Sequence, residues 1–132
     1  MLNRLKQWRE ERGLFLQADK TKHFGYICEE VSEGLRAESE HDVVDAYADI
    51  VVFAINAIEQ HGYDAELVMS ETIKEIESRK GEINPITKKF EKYKDEHSVS
   101  KWVKADYSRC KRDNIALDFN KINIAKSMKI IK

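Results

Sequence analysis

The chain has 132 residues, the usual length of one domain and long enough to bury a core without disulfides or metals. With one proline and five glycines, it does not match a turn-rich all-β fold, a collagen-like repeat or low-complexity disorder. No apolar run approaches the ~20 residues that span a bilayer, and the charges in residues 1–13 are not those of a signal peptide. Cys28 and Cys110 form no CxxC pair, so we expect no disulfide framework and a cytoplasmic location.

The charges are unevenly distributed along the chain, although the formal net charge is only −1. Between His23 and Ile73 there are twelve acidic residues and a single base, Arg36. Residues 83–132 instead contain thirteen Lys or Arg and six acids. An acidic middle needs cations, and a basic tail is suited to phosphates or acidic surfaces.

Helical spacing of apolar residues predicts a chain of helices joined by short loops. Four helices are expected at about 2–12, 20–38, 40–61 and 65–80. Ser39 is predicted to cap the third helix with Asp42 as its capping-box partner, and Gly62 to follow its C-terminus. A fifth helix is expected at about 98–110, whereas residues 115–131 fit either a strand or a helix.

The segment IVVFAINAI, residues 50–58, is apolar nearly all round. Such a helix is typically buried on several sides at the centre of a bundle. Trp8 and Phe24 are also expected in the core. The predicted fold class is therefore all-α, with antiparallel helical hairpins that form a four-helix-type bundle completed by oligomerisation.

Acidic side chains of the second and third predicted helices are expected to face one another. The tight connection makes the two helices antiparallel, and a rise of about 1.5 Å per residue then places Glu33 level with Asp45 and Glu30 level with Asp49. Four facing carboxylates repel strongly unless a cation lies between them, and all-oxygen ligation suits Mg²⁺ or Mn²⁺. Without the facing aspartates of the third helix, a solvated helix face would be the favoured explanation of the glutamates, whereas with them metal ligation is favoured.

Two motifs here resemble a known enzyme family. EEVSE at 29–33 followed by DAYADIVVFAINAI at 45–58 resembles the ExxE…ExxD signature of the MazG-like all-α nucleoside triphosphate pyrophosphohydrolases. ETIKEIESRKGEIN at 71–84 resembles the segment that follows in a MazG-like branch, and the resemblance covers about residues 20–94. It implies Mg²⁺-dependent cleavage between the α and β phosphates, which yields a nucleoside monophosphate and pyrophosphate.

The resemblance also implies organisation and partners. Its members are typically dimers or tetramers of helical hairpins, so we expect a homodimer or homotetramer, with no membrane or nucleic-acid partner. Residues 1–94 are expected to form the catalytic domain, and 95–132 a basic extension packed on that domain or on a partner subunit. The expected role is nucleotide-pool cleansing.

One position departs from the family pattern. The third carboxylate of the family lies three residues before the final Asp, where this chain has Ala46. Asp45 is the natural substitute because positions i and i+4 share a helix face with Asp49. Glu30, Glu33 and Asp49 match the pattern directly, so the predicted ligands are these three and Asp45.

Roles for the remaining site residues follow from charge and position. Glu29 or Glu30 is expected to orient or deprotonate the attacking water. The residues expected to bind the substrate are Lys74, Arg79 and Lys80 at the triphosphate and His23, Tyr26 and Asn56 at the nucleotide pocket. The three cations also fit surface ion pairs or a helix C-terminus, and Asn56 equally fits a satisfied core amide.

Other functions fit parts of the same sequence. Phosphoribosyl-ATP pyrophosphohydrolase shares the carboxylate pattern but is disfavoured by the longer tail here. A nucleic-acid-binding module is also compatible, because Trp102 and Tyr107 interleave with cations in KWVKADYSRCKR, residues 101–112. In a third reading the chain is a non-catalytic helical interaction module, and its acidic stripe is only a surface.

Overall fold

A computed structural model describes residues 1–14 and 18–112. This part of the chain is mostly helical and contains a small two-stranded sheet, in broad agreement with the predicted all-α class. The element predicted at 115–131 lies outside the described residues. None of the helices within the described range is long and apolar enough to cross a membrane.

The first four helices lie close to their predicted positions. The helices are α1 (Leu2–Glu11), α2 (Lys20–Arg36), α3 (Glu40–Gln60), α4 (Ala65–Ser78) and α5 (Glu96–Ser100), and the strands are β1 (Gly81–Ile83) and β2 (Phe90–Lys92). Ser39 caps α3 as predicted, because its Oγ accepts a hydrogen bond from the backbone N–H of Asp42 at 3.1 Å. Gly62 follows α3 with a φ of 89°, a conformation that favours glycine.

The helix predicted at 98–110 is wrong. In its place α5 ends at Ser100, and a 3₁₀-helix spans Tyr107–Cys110. Side chains of α4 bind the backbone between these elements: Ser78 Oγ accepts from Val103 N at 3.0 Å, and a Glu75 oxygen accepts from Ala105 N at 2.8 Å. These bonds take the N–H groups that a continuous helix would use internally.

The hairpin of β1 and β2 was not predicted, although its turn carries a local signal. Gly81 pairs with Lys92 across the antiparallel ladder, and a Cβ at Gly81 would clash with the backbone oxygen of Glu91 on the opposite strand. In the turn, Asn84 Oδ1 accepts hydrogen bonds from the N–H groups of Ile86 and Thr87, at 2.8 and 3.2 Å. An asparagine bonded to the backbone two residues ahead is a typical turn former.

The chain forms two compact units. The first contains residues 1–65 and continues at Lys111, and the second contains residues 66–110. This structural division differs from the predicted boundary between residues 94 and 95. The assignment of catalysis to residues 1–94 and of a basic extension to residues 95–132 stays a prediction. In the first unit α2 and α3 pack against each other as a hairpin, and α1 packs on α3.

The apolar residues of the hairpin differ widely in how far they are buried. Ala46 and Ile55 of α3 are buried. By contrast, Phe24 is 61% exposed, Leu35 83% and Val51 52%. The expectation that Phe24 lies in the core is therefore wrong within this one chain. Of residues 50–58 only Val51 is exposed, so this segment is largely covered, whereas exposed apolar residues remain on both helices.

Candidate functional site

The α2–α3 hairpin brings together the carboxylates predicted to bind a metal. Glu30 and Glu33 of α2 and Asp45 of α3 line one recess of about 250 Å³. Asp49, one turn further along α3, lies close enough to Glu30 to raise its pKa electrostatically. We call these four residues the acidic cluster.

Within the acidic cluster, Glu30 carries a cost of burial and repulsion that can be traced to named neighbours. Burial, and after it repulsion from Glu33, Asp49 and Asp45, raises the pKa of Glu30 above its usual range. Its Oε2 is buried and has no hydrogen-bond partner among the described residues. A buried carboxylate oxygen without a donor is costly, so this oxygen is suited to a cation that approaches it.

The chemistry of the acidic cluster fits a hard divalent cation, although its side chains are not arranged as a finished ligand set. All four offer carboxylate oxygens, the ligands that Mg²⁺ and Mn²⁺ prefer. As the side chains are placed, no group of three or more His, Cys, Asp or Glu within residues 1–14 and 18–112 is positioned to hold a metal ion. The fit therefore rests on donor type and on the unpartnered Glu30 oxygen.

Close packing of the two helices explains the alanine at the departing position. Ala46 is buried, and its Cβ would lie 3.1 Å from a Cβ built on Gly34. A longer acidic side chain at position 46 would meet α2 at this point of closest approach. Asp45 lies instead in the recess beside Glu30 and Glu33.

Asp42 also lines the recess, although it was not among the metal ligands predicted from the sequence. It was assigned to helix capping, but the bond to Ser39 uses only the backbone N–H of Asp42. Its carboxylate is therefore not consumed by the cap, and Asp42 lines the same recess as Glu30. The signal was present in the sequence, because Asp42 precedes Asp45 by three residues on one helix face.

A second, larger cavity lies in the same unit and collects the predicted nucleotide-pocket residues. It has a volume of about 500 Å³, and His23, Tyr26 and Asn56 all line it. The rings of Tyr26 and Phe53 stack with centroids 5.3 Å apart. Trp8, which was expected in the core, lines this cavity instead and is partly exposed. We call this space the α1–α3 cavity, because the three helices α1, α2 and α3 supply most of its lining.

Sequence reasoning missed the polar residues that support this cavity. Arg9 of α1 is buried and donates to Asn56 Oδ1 at 2.7 Å and to Glu59 Oε1 at 3.0 Å. Gln60, also buried, lines the cavity one turn after Asn56. A charged Glu59 at the end of the apolar segment was the available signal, since a buried carboxylate needs a cation partner.

The three cations predicted to bind the triphosphate all lie in the second unit. Lys74 pairs with Glu71 at 3.0 Å within α4, and Arg79, which directly follows α4, pairs with Glu75 at 2.8 Å. Lys80 is exposed and follows the end of α4. These contacts match the surface-pair alternative, and the phosphate-binding roles stay predictions. Glu29 is exposed next to Glu30 on α2.

The aromatic residues of the basic segment are engaged within the second unit. Arg79 lies over the Trp102 ring at 5.5 Å, and the Tyr107 hydroxyl hydrogen-bonds Thr72 at 2.9 Å. Stacking of bases on a single strand needs free ring faces. These contacts therefore do not favour the nucleic-acid-binding alternative over the others.

The chain matches no family model, no curated protein and no solved structure.

Proposed function

We propose that this protein is a Mg²⁺-dependent nucleoside triphosphate pyrophosphohydrolase, which cleaves a (d)NTP to a (d)NMP and pyrophosphate. The observation that carries the proposal is the acidic cluster on the α2–α3 hairpin, with its buried and unpartnered Glu30 oxygen. The sequence resemblance to MazG-like enzymes names the bond that is cleaved. Nucleotide-pool cleansing is the role we propose for this activity.

The acidic cluster is the part of the chain that would hold the metal. When bound, Mg²⁺ or Mn²⁺ supplies positive charge that offsets the charge developing on the phosphate oxygens. Glu30, Glu33, Asp45 and Asp49 would hold the cation through their carboxylate oxygens. Glu29, exposed on the same helix, orients the attacking water or accepts its proton, a role that Glu30 can share.

The neighbouring α1–α3 cavity supports a nucleotide substrate. Tyr26 lines the cavity, and Glu30 of the acidic cluster lies one helical turn, about 6 Å, further along α2. On α3, Asp49 and the cavity residue Phe53 are likewise one turn apart. A planar base in the cavity therefore puts the phosphates of the same molecule within reach of the carboxylates. His23, Tyr26 and Asn56 are the residues that we propose contact the nucleoside.

The reaction is tested by incubating the full chain with Mg²⁺ and a panel of canonical and modified (d)NTPs. Anion-exchange chromatography separates monophosphate, diphosphate, pyrophosphate and orthophosphate. We expect monophosphate and pyrophosphate from at least one substrate, and none when EDTA replaces Mg²⁺. Release of orthophosphate and diphosphate would contradict the proposed cleavage site, and a product yield that EDTA leaves unchanged would contradict the metal dependence.

We also propose that a second copy of the chain covers the open faces of the α2–α3 hairpin, giving a homodimer or homotetramer. The supporting observation is a set of exposed apolar residues at helical spacing: Phe24, Val31 and Leu35 on α2 and Val44, Tyr47 and Val51 on α3. Apolar surface of this kind is normally buried by association. Such pairing would complete the four-helix bundle that the sequence predicts.

Sedimentation velocity tests the association. The wild type is expected to sediment as a dimer or tetramer, and Leu35→Glu to shift the distribution towards monomer because it places a charge in the proposed interface. The matched control is Ile86→Glu, which alters an equally exposed apolar residue of the second unit. A monomeric wild type, or a Leu35→Glu protein that associates like the wild type, would contradict the proposed interface.

A further inference from the structure

A chain of charged and polar side chains runs from residue 112 to the α1–α3 cavity. Arg112 donates from Nη2 to Glu59 Oε1 at 2.6 Å and from Nε to Oε2 at 3.0 Å. Arg9 donates to the same Glu59 carboxylate at 3.0 Å and, from its other terminal nitrogen, to Asn56 Oδ1 at 2.7 Å. The last member of this chain, Asn56, lines the cavity.

This arrangement fixes which end of the Asn56 amide is available to a ligand. Guanidinium groups only donate hydrogen bonds, so the atom that faces Arg9 must be the oxygen. Rotating the amide by half a turn would place its NH₂ against the Arg9 donors and lose a charge-assisted bond. With Oδ1 committed, the Nδ2 group is the part of Asn56 left to bind a ligand, and it is a donor.

Arg9 itself is held in place from two sides. The pKa of the Arg9 guanidinium is lowered overall. Burial is the main cause and the charge of Arg112 adds to it, while the charge of Glu59 acts in the opposite direction. Since an arginine keeps its proton in proteins, Arg9 remains a donor to Asn56. Glu59, held by Arg112 as well, prevents the Arg9 side chain from turning away from the cavity wall.

The cavity offers a planar ligand a mixed lining. Tyr26, Phe53 and Trp8 supply aromatic surface, and its volume of about 500 Å³ lies within the usual range for small-molecule sites. Asn56 is only 9% exposed and Gln60 7%, and both amides line the cavity. An amide such as that of Gln60 carries both donor and acceptor groups, so it can meet either kind of ligand atom. One fixed donor and one adaptable amide thus face an aromatic-lined space.

We propose that Asn56 Nδ2 donates a hydrogen bond to a carbonyl oxygen of the substrate's nucleobase, and that Arg9, Glu59 and Arg112 are positioning residues that hold Asn56 in this orientation. Naming the ligand a nucleobase rests on the function proposed above. The bound oxygen is O4 of a pyrimidine or O6 of a purine, so the cavity prefers uracil and hypoxanthine. Cytosine and adenine carry an amino group there, and it meets the Asn56 donor unfavourably.

The test is a binding measurement that needs neither metal nor catalysis. The ¹⁵N-labelled full chain is titrated with uridine, cytidine, inosine and adenosine, and the side-chain amide resonances of Asn56 and Gln60 are followed by NMR. We expect uridine to bind about 10-fold more tightly than cytidine, and inosine more tightly than adenosine. No shift of the Asn56 amide with any nucleoside, or equal affinities within both pairs, would overturn the proposal.

Two variants separate the donor from the residues that position it. Asn56→Asp keeps an acceptor for Arg9 but replaces the NH₂ donor by a carboxylate oxygen, so the preference should shift towards cytidine and adenosine. Arg112→Gln leaves Asn56 intact but loosens Glu59, so the uridine-to-cytidine affinity ratio should fall towards one. If Arg112 had only a structural role, the substitution would weaken the binding of both nucleosides equally and leave the uridine-to-cytidine affinity ratio unchanged. That result would remove Arg112 from the proposal.

Arg9→Lys checks the orienting contact by a conservative change. Lysine keeps the positive charge but lacks the planar fork that reaches Glu59 and Asn56 together. The ratio should therefore fall although the charge is retained, and an unchanged ratio would overturn the role of Arg9.

The binding test and the proposed reaction can fail independently. NTP cleavage without discrimination among nucleosides defeats only this inference. Discrimination without NTP cleavage supports the inference and defeats only the reaction.

Discussion

Carboxylates of two helices in this protein have opposite environments. On α2, Glu30 lies beside Glu33 and Asp49, and burial and repulsion raise its pKa. On α4, Glu71 accepts hydrogen bonds from Lys74 and from the backbone N–H of Asp106, which lower the pKa of Glu71. Glu75 is similarly paired, with Arg79 and with the N–H of Ala105.

The contrast separates acids that stabilise the fold from acids that are available to a ligand. Glu71 and Glu75 hold an irregular segment against α4 and have their oxygens occupied. The acidic cluster gains nothing comparable: among the described residues no ion pair involves any of its four members. An unpaired carboxylate with a raised pKa in a recess, such as that of Glu30, is a common mark of a functional site. The two regions should therefore respond oppositely to removal of charge.

The largest expected effect is the loss of activity when the acidic cluster is altered. Glu33→Gln and Asp49→Asn keep the shape of the side chain and remove its charge, so folding should survive. Turnover of the best (d)NTP should fall by about 100-fold or more, because a metal ion supplies several kcal/mol of transition-state stabilisation. Glu77→Gln, an exposed acid of α4, is the matched control and should retain wild-type rates. If both cluster variants stay near wild-type activity, the metal site is misplaced.

Asp45→Asn addresses the position where the chain departs from the MazG-like pattern. Asp45 lies in the recess with Glu30 and Glu33, so we expect its neutralisation to cost activity on the scale of Glu33→Gln. Asp42→Asn is the informative companion, because Asp42 lines the same recess. Full activity of Asp45→Asn together with a loss in Asp42→Asn would assign the third ligand to Asp42 instead.

Charge removal in the second unit should lower stability. Glu75→Gln weakens the pair with Arg79 and the bond to Ala105 N, and we expect a loss of about 1 kcal/mol in the free energy of unfolding, since the site is only partly buried. Urea denaturation measures this loss, and Glu77→Gln should stay within about 0.5 kcal/mol of the wild type. A Glu75→Gln protein as stable as the wild type would show that these contacts contribute nothing measurable.

Charge removal in the acidic cluster should have the opposite sign when no metal is present. In EDTA near neutral pH, Asp49→Asn and Glu30→Gln should raise the melting temperature, because each relieves repulsion on Glu30 or removes it. Mg²⁺ should stabilise the wild type more than either variant. A lower melting temperature for Asp49→Asn in EDTA would mean that Asp49 belongs to an internal ion pair, contrary to the open arrangement described above.

The smallest expected effect is a difference in how the stability contributions of Glu30 and Glu71 depend on pH. The pKa of Glu30 is raised above its usual 4.5, so its ionisation destabilises the fold at neutral pH, and this cost disappears as the pH falls through the raised value towards 4.5. The pKa of Glu71 is lowered, so its stabilising contribution is present above 4.5 and is lost only as the pH falls through the lowered value.

Melting curves in EDTA between about pH 3 and 8, on both sides of the ordinary pKa of a glutamate, test these signs. The advantage of Glu30→Gln over the wild type should shrink to nothing by about pH 4.5, while the deficit of Glu71→Gln should persist below that pH. Parallel pH profiles for the two variants would contradict the comparison between the regions.

The sequence alone determined the local elements and the acidic stripe. Helical periodicity and end signals such as Ser39 and Gly62 depend on neighbours within one or two turns, so the first four helices lie close to their predicted positions. The placement of Glu30 opposite Asp49 followed from a short connection and a constant helical rise. Both are properties of a continuous stretch of chain.

The tertiary structure decided the features that join distant residues. Arg9 reaches Asn56 across 47 residues, and no periodicity announces that contact. The segment after Ser100 is irregular because Ser78, Glu75 and Glu71 take its N–H groups. Side-chain bonds of this kind outcompete helix propensity only once the partner helix is in place, since propensity differs by less than about 1 kcal/mol per residue. The orientation of the Asn56 amide, and with it the preference proposed for the α1–α3 cavity, is therefore a property of the folded chain.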